Sequence, residues 1–322
     1  MKKKRKSNKR KSRTRQITLI CIVILSLLYT FIYKQNNSQN VEIVKVSTVS
    51  QHLDANKTDN NVGGNEVNES QEIDKSKPDN IDDESINPRA NRKQIEVDKN
   101  SFDAGKIQGF LSKNIKINDG KKIAFLTFDD GPSTTVTPKV LEILKRNDIK
   151  ATFFIVGKQV EENPGAKNLL LEIYKDGHAV GNHTYSHNYS KLYPAGKVDT
   201  NAFMEEIIKT SEIMRAVLGQ DFDTKVIRFP GGHPSWKGTE QIDSQLEATG
   251  YKYIDWNALV GDSEGGTRTK NQIINRYKQT FVGQEKVVIL MHDTYGKNST
   301  AEALQYIIDD LKGKGYEFKT LK

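Results

Sequence analysis

Five short polar clusters, far apart in a chain of 322 residues, hold the side chains that could do chemistry. They are Thr127-Phe128-Asp129-Asp130-Gly131-Pro132, His183-Thr184-Tyr185-Ser186-His187, Arg228-Phe229-Pro230-Gly231-Gly232, Trp256 followed by Asp262, and Leu290-Met291-His292-Asp293. Two imidazoles four residues apart plus one carboxylate form a His₂Asp set, which suits a divalent metal with open positions for water and substrate. Of the adjacent Asp129 and Asp130, one suffices for the metal, and the other is free to act as general base on a water there. His292 is a candidate general acid for a leaving group, and a carboxylate such as Asp262 would orient it and favour its imidazolium form. Arg228 would hold a carboxylate in place, and the Gly231-Gly232 backbone can bring an N–H close to a developing oxyanion. Singly, each cluster has a plainer explanation: Asp-Asp-Gly-Pro is a common turn, and a lone His-x-x-x-His pair is usually incidental. Jointly they imply metal-assisted hydrolysis of an acyl group. A single cysteine, Cys21, excludes an intramolecular disulfide and a Cys-based metal site.

Such a site needs a scaffold that gathers five separate stretches of chain. From about residue 119, short apolar runs alternate with amphipathic stretches. Ile123–Phe128, Thr152–Val156, Ala179–Asn182, Val226–Phe229, Tyr251–Trp256, Lys286–Met291 and Tyr316–Leu321 read as strands. Pro138–Arg146, Ala202–Leu218 and Thr300–Lys314 read as helices, with Gly177, Gly219, Gly250 and Gly315 as stops. Seven β/α units imply a mostly parallel sheet with helices outside, and that number favours a barrel, complete or not, over an open sheet. Every polar cluster then falls at or beyond a strand C-terminus, the end where parallel barrels build active sites.

In order and wording, Thr-Phe-Asp-Asp-Gly-Pro, His-Thr-x-x-His, Arg-x-Pro-Gly-Gly, Trp with Asp six residues later, and Leu-Met-His-Asp resemble the polysaccharide deacetylase family, also called the NodB-homology domain or carbohydrate esterase family 4. The resemblance runs from about residue 119 to 320. It implies an α/β fold, a distorted or incomplete (β/α)7 barrel, and removal of N-acetyl groups from peptidoglycan, chitin or related glycans, or of acetyl esters from xylan. Carried onto this chain, it implies Asp129 as general base, Asp130, His183 and His187 as metal ligands, Arg228 as the residue orienting the base, His292 as general acid and Asp262 as the carboxylate tuning it. Trp256 and Leu290 match residues lining an acetyl pocket, and Gly231 supplies the oxyanion N–H. Zn²⁺ is the expected cofactor, with Co²⁺, Ni²⁺ or Fe²⁺ as substitutes. Many members have a tyrosine where this chain has Gly231, which leaves the groove wall open to reshaping, and Trp236 is a candidate sugar-stacking substitute. His233 is near the site in sequence, while His178 and His52 match no motif and read as structural or solvated.

The formal net charge of +8 belongs to the N-terminus: residues 1–16 hold ten Lys/Arg and no acid, and residues 34–100 hold nine basic against thirteen acidic residues. What remains is nearly neutral, so no nucleic-acid partner is expected. The uncharged run 17–33, ITLICIVILSLLYTFIY, is at the short end of what a helix needs to cross a bilayer core of ~30 Å. Its basic flank places the N-terminus in the cytoplasm. An uncleaved signal anchor is expected, a cleaved signal peptide being the alternative, with Cys21 as apolar filler rather than a lipid anchor. The organisation expected is a basic cytoplasmic arm (1–16), a transmembrane anchor (17–33), a disordered linker or stalk (34–118) and an extracellular catalytic domain (119–322). The expected partners are an N-acetylated extracellular polysaccharide, peptidoglycan N-acetylglucosamine foremost, and the membrane. The alternatives are a poly-N-acetylglucosamine or chitin deacetylase, an acetylxylan esterase, or a catalytically silent glycan-binding protein.

Overall fold

The computed structural model describes residues 99–322, and the basic arm, the apolar run 17–33 and most of the stalk lie outside the described residues. Among the described residues no helix is long and apolar enough to cross a membrane. In chain order the elements are β1 (Ser101–Phe102), α1 (Ala104–Lys113), β2 (Ile123–Asp129), α2 (Thr137–Asn147), β3 (Thr152–Ile155), α3 (Gly157–Glu162), α4 (Pro164–Lys175), β4 (Ala179–Asn182), α5 (Tyr189–Leu192), α6 (Thr200–Leu218), β5 (Val226–Ile227), α7 (Glu240–Ala248), β6 (Lys252–Tyr253), β7 (Ala258–Leu259), α8 (Lys270–Thr280), β8 (Lys286–His292), α9 (Asn298–Gly313), β9 (Glu317–Phe318) and β10 (Thr320–Leu321).

Strands β6, β5, β4, β3, β2, β8 and β7 lie side by side in that order, all parallel, and β9 pairs with the start of β2 that β3 leaves uncovered. The result is a curled parallel half-barrel with helices outside, consistent with a distorted seven-unit barrel. The distortion is localised. Tyr251–Trp256 does not form one strand as expected; β6 and β7 are successive parts of a longer run that changes neighbours midway. The N–H groups of Lys252 and Ile254 donate to the carbonyls of Lys225 and Ile227 at 2.7 and 2.9 Å, and those of Asn257 and Val260 donate to Val288 and Leu290 at 3.2 and 3.3 Å.

Period-two alternation explains which side chains reach the site. On β2, Ala124, Leu126 and Phe128 pack outward against the helices, while Ile123 and Phe125 pack into the barrel. Continuing the inward series upward gives Thr127 and Asp129. On β8, Val287, Ile289 and Met291 face outward and Val288 inward, so Lys286, Leu290 and His292 share its face. Lys286, fully buried at the lower end, ion-pairs with Asp119 at 2.6 Å. The middle of the barrel is thus apolar and its upper mouth polar.

Residues 101–118, expected to belong to the stalk, include β1 and α1, which pack into the folded unit. β1 pairs in parallel with β10, and α1 sends Ala104 and Ile107 into the interior cluster with Ile123, Phe125, Phe154 and Leu321. This helix plugs the barrel from below. It escaped sequence reading because its few apolar residues are diluted by Gly, Lys, Gln and Ser, and their burial depends on a barrel floor supplied from 20 to 200 residues downstream. Ile107→Ala should destabilise the protein by about 2–5 kcal/mol, as for other fully buried aliphatic truncations. An unchanged thermal unfolding midpoint would mean that α1 merely rests on the surface.

Candidate active site

The upper mouth assembles all ten residues singled out from the sequence. Asp129 ends β2 and lies in register with His292, the last residue of β8. The chain then turns sharply: Asp130 takes a left-handed conformation (φ 69°), which re-aims its carboxylate across the mouth. β4 ends at Asn182, and a tight turn carries the two histidines. Asn182 Oδ1 accepts the Thr184 N–H at 3.0 Å and Thr184 Oγ1 accepts the His187 N–H at 3.3 Å, with Thr184 (φ 66°) and His187 (φ 53°) also left-handed. Glu206 of α6, almost fully buried, anchors the same turn by accepting the N–H and hydroxyl of Ser186 at 3.0 and 2.6 Å.

Asp130 Oδ1 lies 3.4 Å from His183 Nε2 and 3.2 Å from His187 Nε2, and one ligand atom from each residue falls within 4.8 Å of the others. Burial favours the neutral Asp130 carboxyl, but the His183, His187 and His292 imidazoles around it hold it below the usual carboxylate range. Burial, and then His183 beside it, lower His187, which favours a neutral imidazole with a free lone pair. His183 Nδ1 lies 2.9 Å from the Arg228 carbonyl, which accepts the ring N–H and so leaves the lone pair on Nε2. Asp130 Oδ1 is buried with no hydrogen-bond partner among the described residues. A buried anionic oxygen facing two imidazole lone pairs costs free energy unless a cation sits among them. The two-nitrogen, one-oxygen set therefore fits Zn²⁺, Co²⁺, Ni²⁺ or Fe²⁺, and its composition does not choose between them.

On one side of this triangle stands Asp129, 2% exposed, its Oδ1 held by Arg228 Nη1 at 2.7 Å. Arg228 is fully buried and gives three further N–H donors to Thr127 Oγ1 (2.8 Å), the Ile254 carbonyl (2.8 Å) and the Asp255 carbonyl (3.2 Å), with the Phe154 ring beneath its guanidinium at 4.2 Å. On the other side His292 Nδ1 meets Asp262 Oδ1 at 2.8 Å, and Asp262 Oδ2 accepts the His292 backbone N–H and the Thr300 hydroxyl, both at 2.8 Å. Burial alone would discharge His292, but Asp262, then Asp130 and Asp129, push it up to about 9. One wall thus offers a fixed carboxylate and the opposite wall a charged acid.

Trp256 lies 5.6 Å from the Arg228 guanidinium and against Gly232, and Leu290 sits on the inward face of β8 two residues below His292. The Gly232 N–H is used by the Phe229 carbonyl at 2.8 Å. The exposed Gly231 N–H has no acceptor among the described residues, so of the two glycines it is the donor available to an oxyanion. His233 is held elsewhere, 2.8 Å from Asp243 and stacked on Tyr253 at 4.2 Å. Trp236 is stacked flat on Tyr193 at 3.8 Å with its indole N–H on the Pro230 carbonyl. His178 accepts the Ala151 N–H and is structural; His52 lies outside the described residues.

Three neighbours carry no role in the sequence reading. Asp293, pushed up to about 7 by burial, takes the Thr137 hydroxyl at 2.5 Å and fills the space beside Gly131 that any larger residue would need. Asp255, raised by burial, accepts the His233 N–H at 3.0 Å. Tyr189 stands beside His187, ring centres 5.3 Å apart. Asp293 stands inside the Leu-Met-His-Asp motif, which gives it no role of its own; Asp255 and Tyr189 carry no pattern of their own.

A family model for polysaccharide deacetylases matches residues 116–254. A peptidoglycan-N-acetylglucosamine deacetylase of Bacillus cereus is 38% identical over 204 residues, which are 61% of this chain and 66% of that protein. The peptidoglycan-N-acetylglucosamine deacetylase PgdA of Listeria monocytogenes is 35% identical over 207 residues, 64% of this chain but 39% of that protein. The chain thus spans less than two thirds of either relative. Among solved structures, a Streptococcus mutans CE4 esterase superposes with a TM-score of 0.64 at 35% identity, covering 70% of this chain and 94% of that one.

Proposed function

The chain belongs to the polysaccharide deacetylase family, and on that premise we propose that it is a metal-dependent hydrolase removing N-acetyl groups from peptidoglycan N-acetylglucosamine. The observation that carries this reading is the Asp130–His183–His187 triangle flanked by Asp129 on Arg228 and by His292 on Asp262. Asp130, His183 and His187 would hold a divalent cation, which when bound polarises an acyl oxygen and makes water more acidic. The Asp129 carboxylate, with one oxygen held by Arg228, takes a proton from the attacking water as the water oxygen bonds to the acetyl carbon. The Gly231 N–H donates to the developing oxyanion. As the carbon–nitrogen bond breaks, the His292 imidazolium gives its proton to the departing nitrogen, so acetate and a free amino sugar leave. Trp256 and Leu290 offer the apolar wall for the methyl group.

The same reading sets this domain outside the cell, held by an uncleaved anchor at residues 17–33. The basic flank of that run and the charge-rich composition of residues 34–100 support it. The test is acetate release by the purified protein from N-acetylated peptidoglycan, chitin oligomers and acetylxylan side by side, with metal content measured on the same sample. Release from peptidoglycan in proportion to bound metal is expected. Release from acetylxylan alone, or from none, would overturn the reading.

The pH dependence follows from His292. Its pKa lies near 9, so the proton donor is present below that pH and lost above it. In Asp262→Asn the stabilising anion is gone, and the alkaline limb of kcat/KM should move down by ~1 unit or more with metal retained. An unmoved limb would break the assignment of His292 and Asp262 as acid and partner.

A further inference from the structure

The wall around Gly231 holds a phenol without an assigned task. Where the family resemblance places a tyrosine, this chain has a glycine at φ +78°, a conformation that suits glycine and strains other residues. A Cβ there would stand 3.0 Å from Tyr189 Oη and 3.1 Å from Trp236 Cζ2. The space a side chain would take at this position is therefore already occupied from another element. Tyr189, the first residue of α5, is fixed by three rings: its centroid is 5.3 Å from His187, 5.2 Å from Trp236 and 5.9 Å from Tyr193, the last two edge-on. Trp236 is itself locked on Tyr193, so the phenol is braced from behind. Yet Tyr189 is 43% exposed, and its hydroxyl has no hydrogen-bond partner among the described residues.

We propose that Tyr189 is a substrate-binding residue whose hydroxyl hydrogen-bonds a hydroxyl of the sugar that carries the acetyl group, taking the position that Gly231 leaves open. The contact is to the sugar rather than to the acetyl group because of depth. Leu290, on the apolar wall, is buried inside the mouth, whereas Tyr189 is 43% exposed at its rim. A rigid, pre-placed phenol also loses little conformational freedom on binding.

This inference rests on the proposed polysaccharide deacetylase activity, and the experiment separates the two. Tyr189→Phe keeps the ring contacts and removes only the hydroxyl. Compared with the unaltered protein, it should raise KM for chitin oligomers by ~3–10-fold, the scale of one neutral hydrogen bond, with kcat nearly unchanged, because the contact is made equally in ground and transition states. Hydrolysis of 4-nitrophenyl acetate, which has no sugar, should be unaffected, as should bound metal. A chitosan oligomer, the product, should bind the variant more weakly by the same factor. Unchanged KM and product affinity, or an equal loss on oligomer and ester, would overturn the role of Tyr189. Should the unaltered protein release acetate from no glycan, the proposed activity falls, and the chitosan titration still decides Tyr189: weaker binding by the variant upholds the contact, and equal binding removes it.

Discussion

His183→Ala should yield a protein that binds its divalent metal at least ~10²-fold more weakly and releases acetate only at background level. Three protein ligands leave no redundancy, and losing even an outer partner of a metal ligand typically costs 10–100-fold in affinity. The substitution also strips the Arg228 carbonyl of its buried imidazole donor, at a cost of about 1–3 kcal/mol. His187→Ala is therefore the needed companion, since His187 is partly exposed and its ring accepts or donates no hydrogen bond among the described residues. Both variants should lose metal, measured by elemental analysis, together with acetate release. Full metal occupancy in the double variant would sink the assignment of the triangle.

The adjacent carboxylates should part company. In Asp129→Asn the metal stays and kcat falls by ~10²-fold or more, the usual effect of losing a general base. In Asp130→Asn metal affinity falls along with the rate. The geometry supports the distinction: Asp130 faces two imidazole nitrogens at 3.4 and 3.2 Å, whereas Asp129 is committed to Arg228 at 2.7 Å and stands 3.7 Å from His183. Asp129→Asn also leaves a fully buried guanidinium without its counterion, a loss of about 3–5 kcal/mol, so its unfolding midpoint should drop while metal content does not. Equal metal loss in the two variants would show that both carboxylates are ligands.

What could be read from the sequence was what repeats or clusters. The strand Ile123–Phe128 and the helix Ala202–Leu218 were found within two residues or so because each has a sustained pattern and clear stops. The ten mouth residues are legible because they gather at or beyond the C-terminal ends of such strands, with Leu290 inside β8 on the same inward face as His292. The rest depended on distant partners. α1 is apolar only where it meets the barrel floor, and β7 is two residues long and gains strand character from β8. Of the remaining helices, α4 and α7 are marked in the sequence only by their stops at Gly177 and Gly250, and α3 and α8 carry no such stop, although α8 opens with a full capping box at Thr269 and Gln272. Asp255 and Tyr189 become neighbours of the site through folding alone.

The left-handed residues of the mouth also constrain how this protein can be improved. Asp130, Thr184 and His187, at φ 69°, 66° and 53°, each oppose folding by roughly 1–2 kcal/mol relative to ordinary backbone. Elsewhere an engineer would relieve such strain with glycine. Under the proposed function two of the three are the ligands and the third spaces them, so the remedy would remove the activity it was meant to protect. Thermostabilising libraries built from local backbone rules should therefore exclude these positions and draw on others, such as Asp148 at φ 52° past the end of α2.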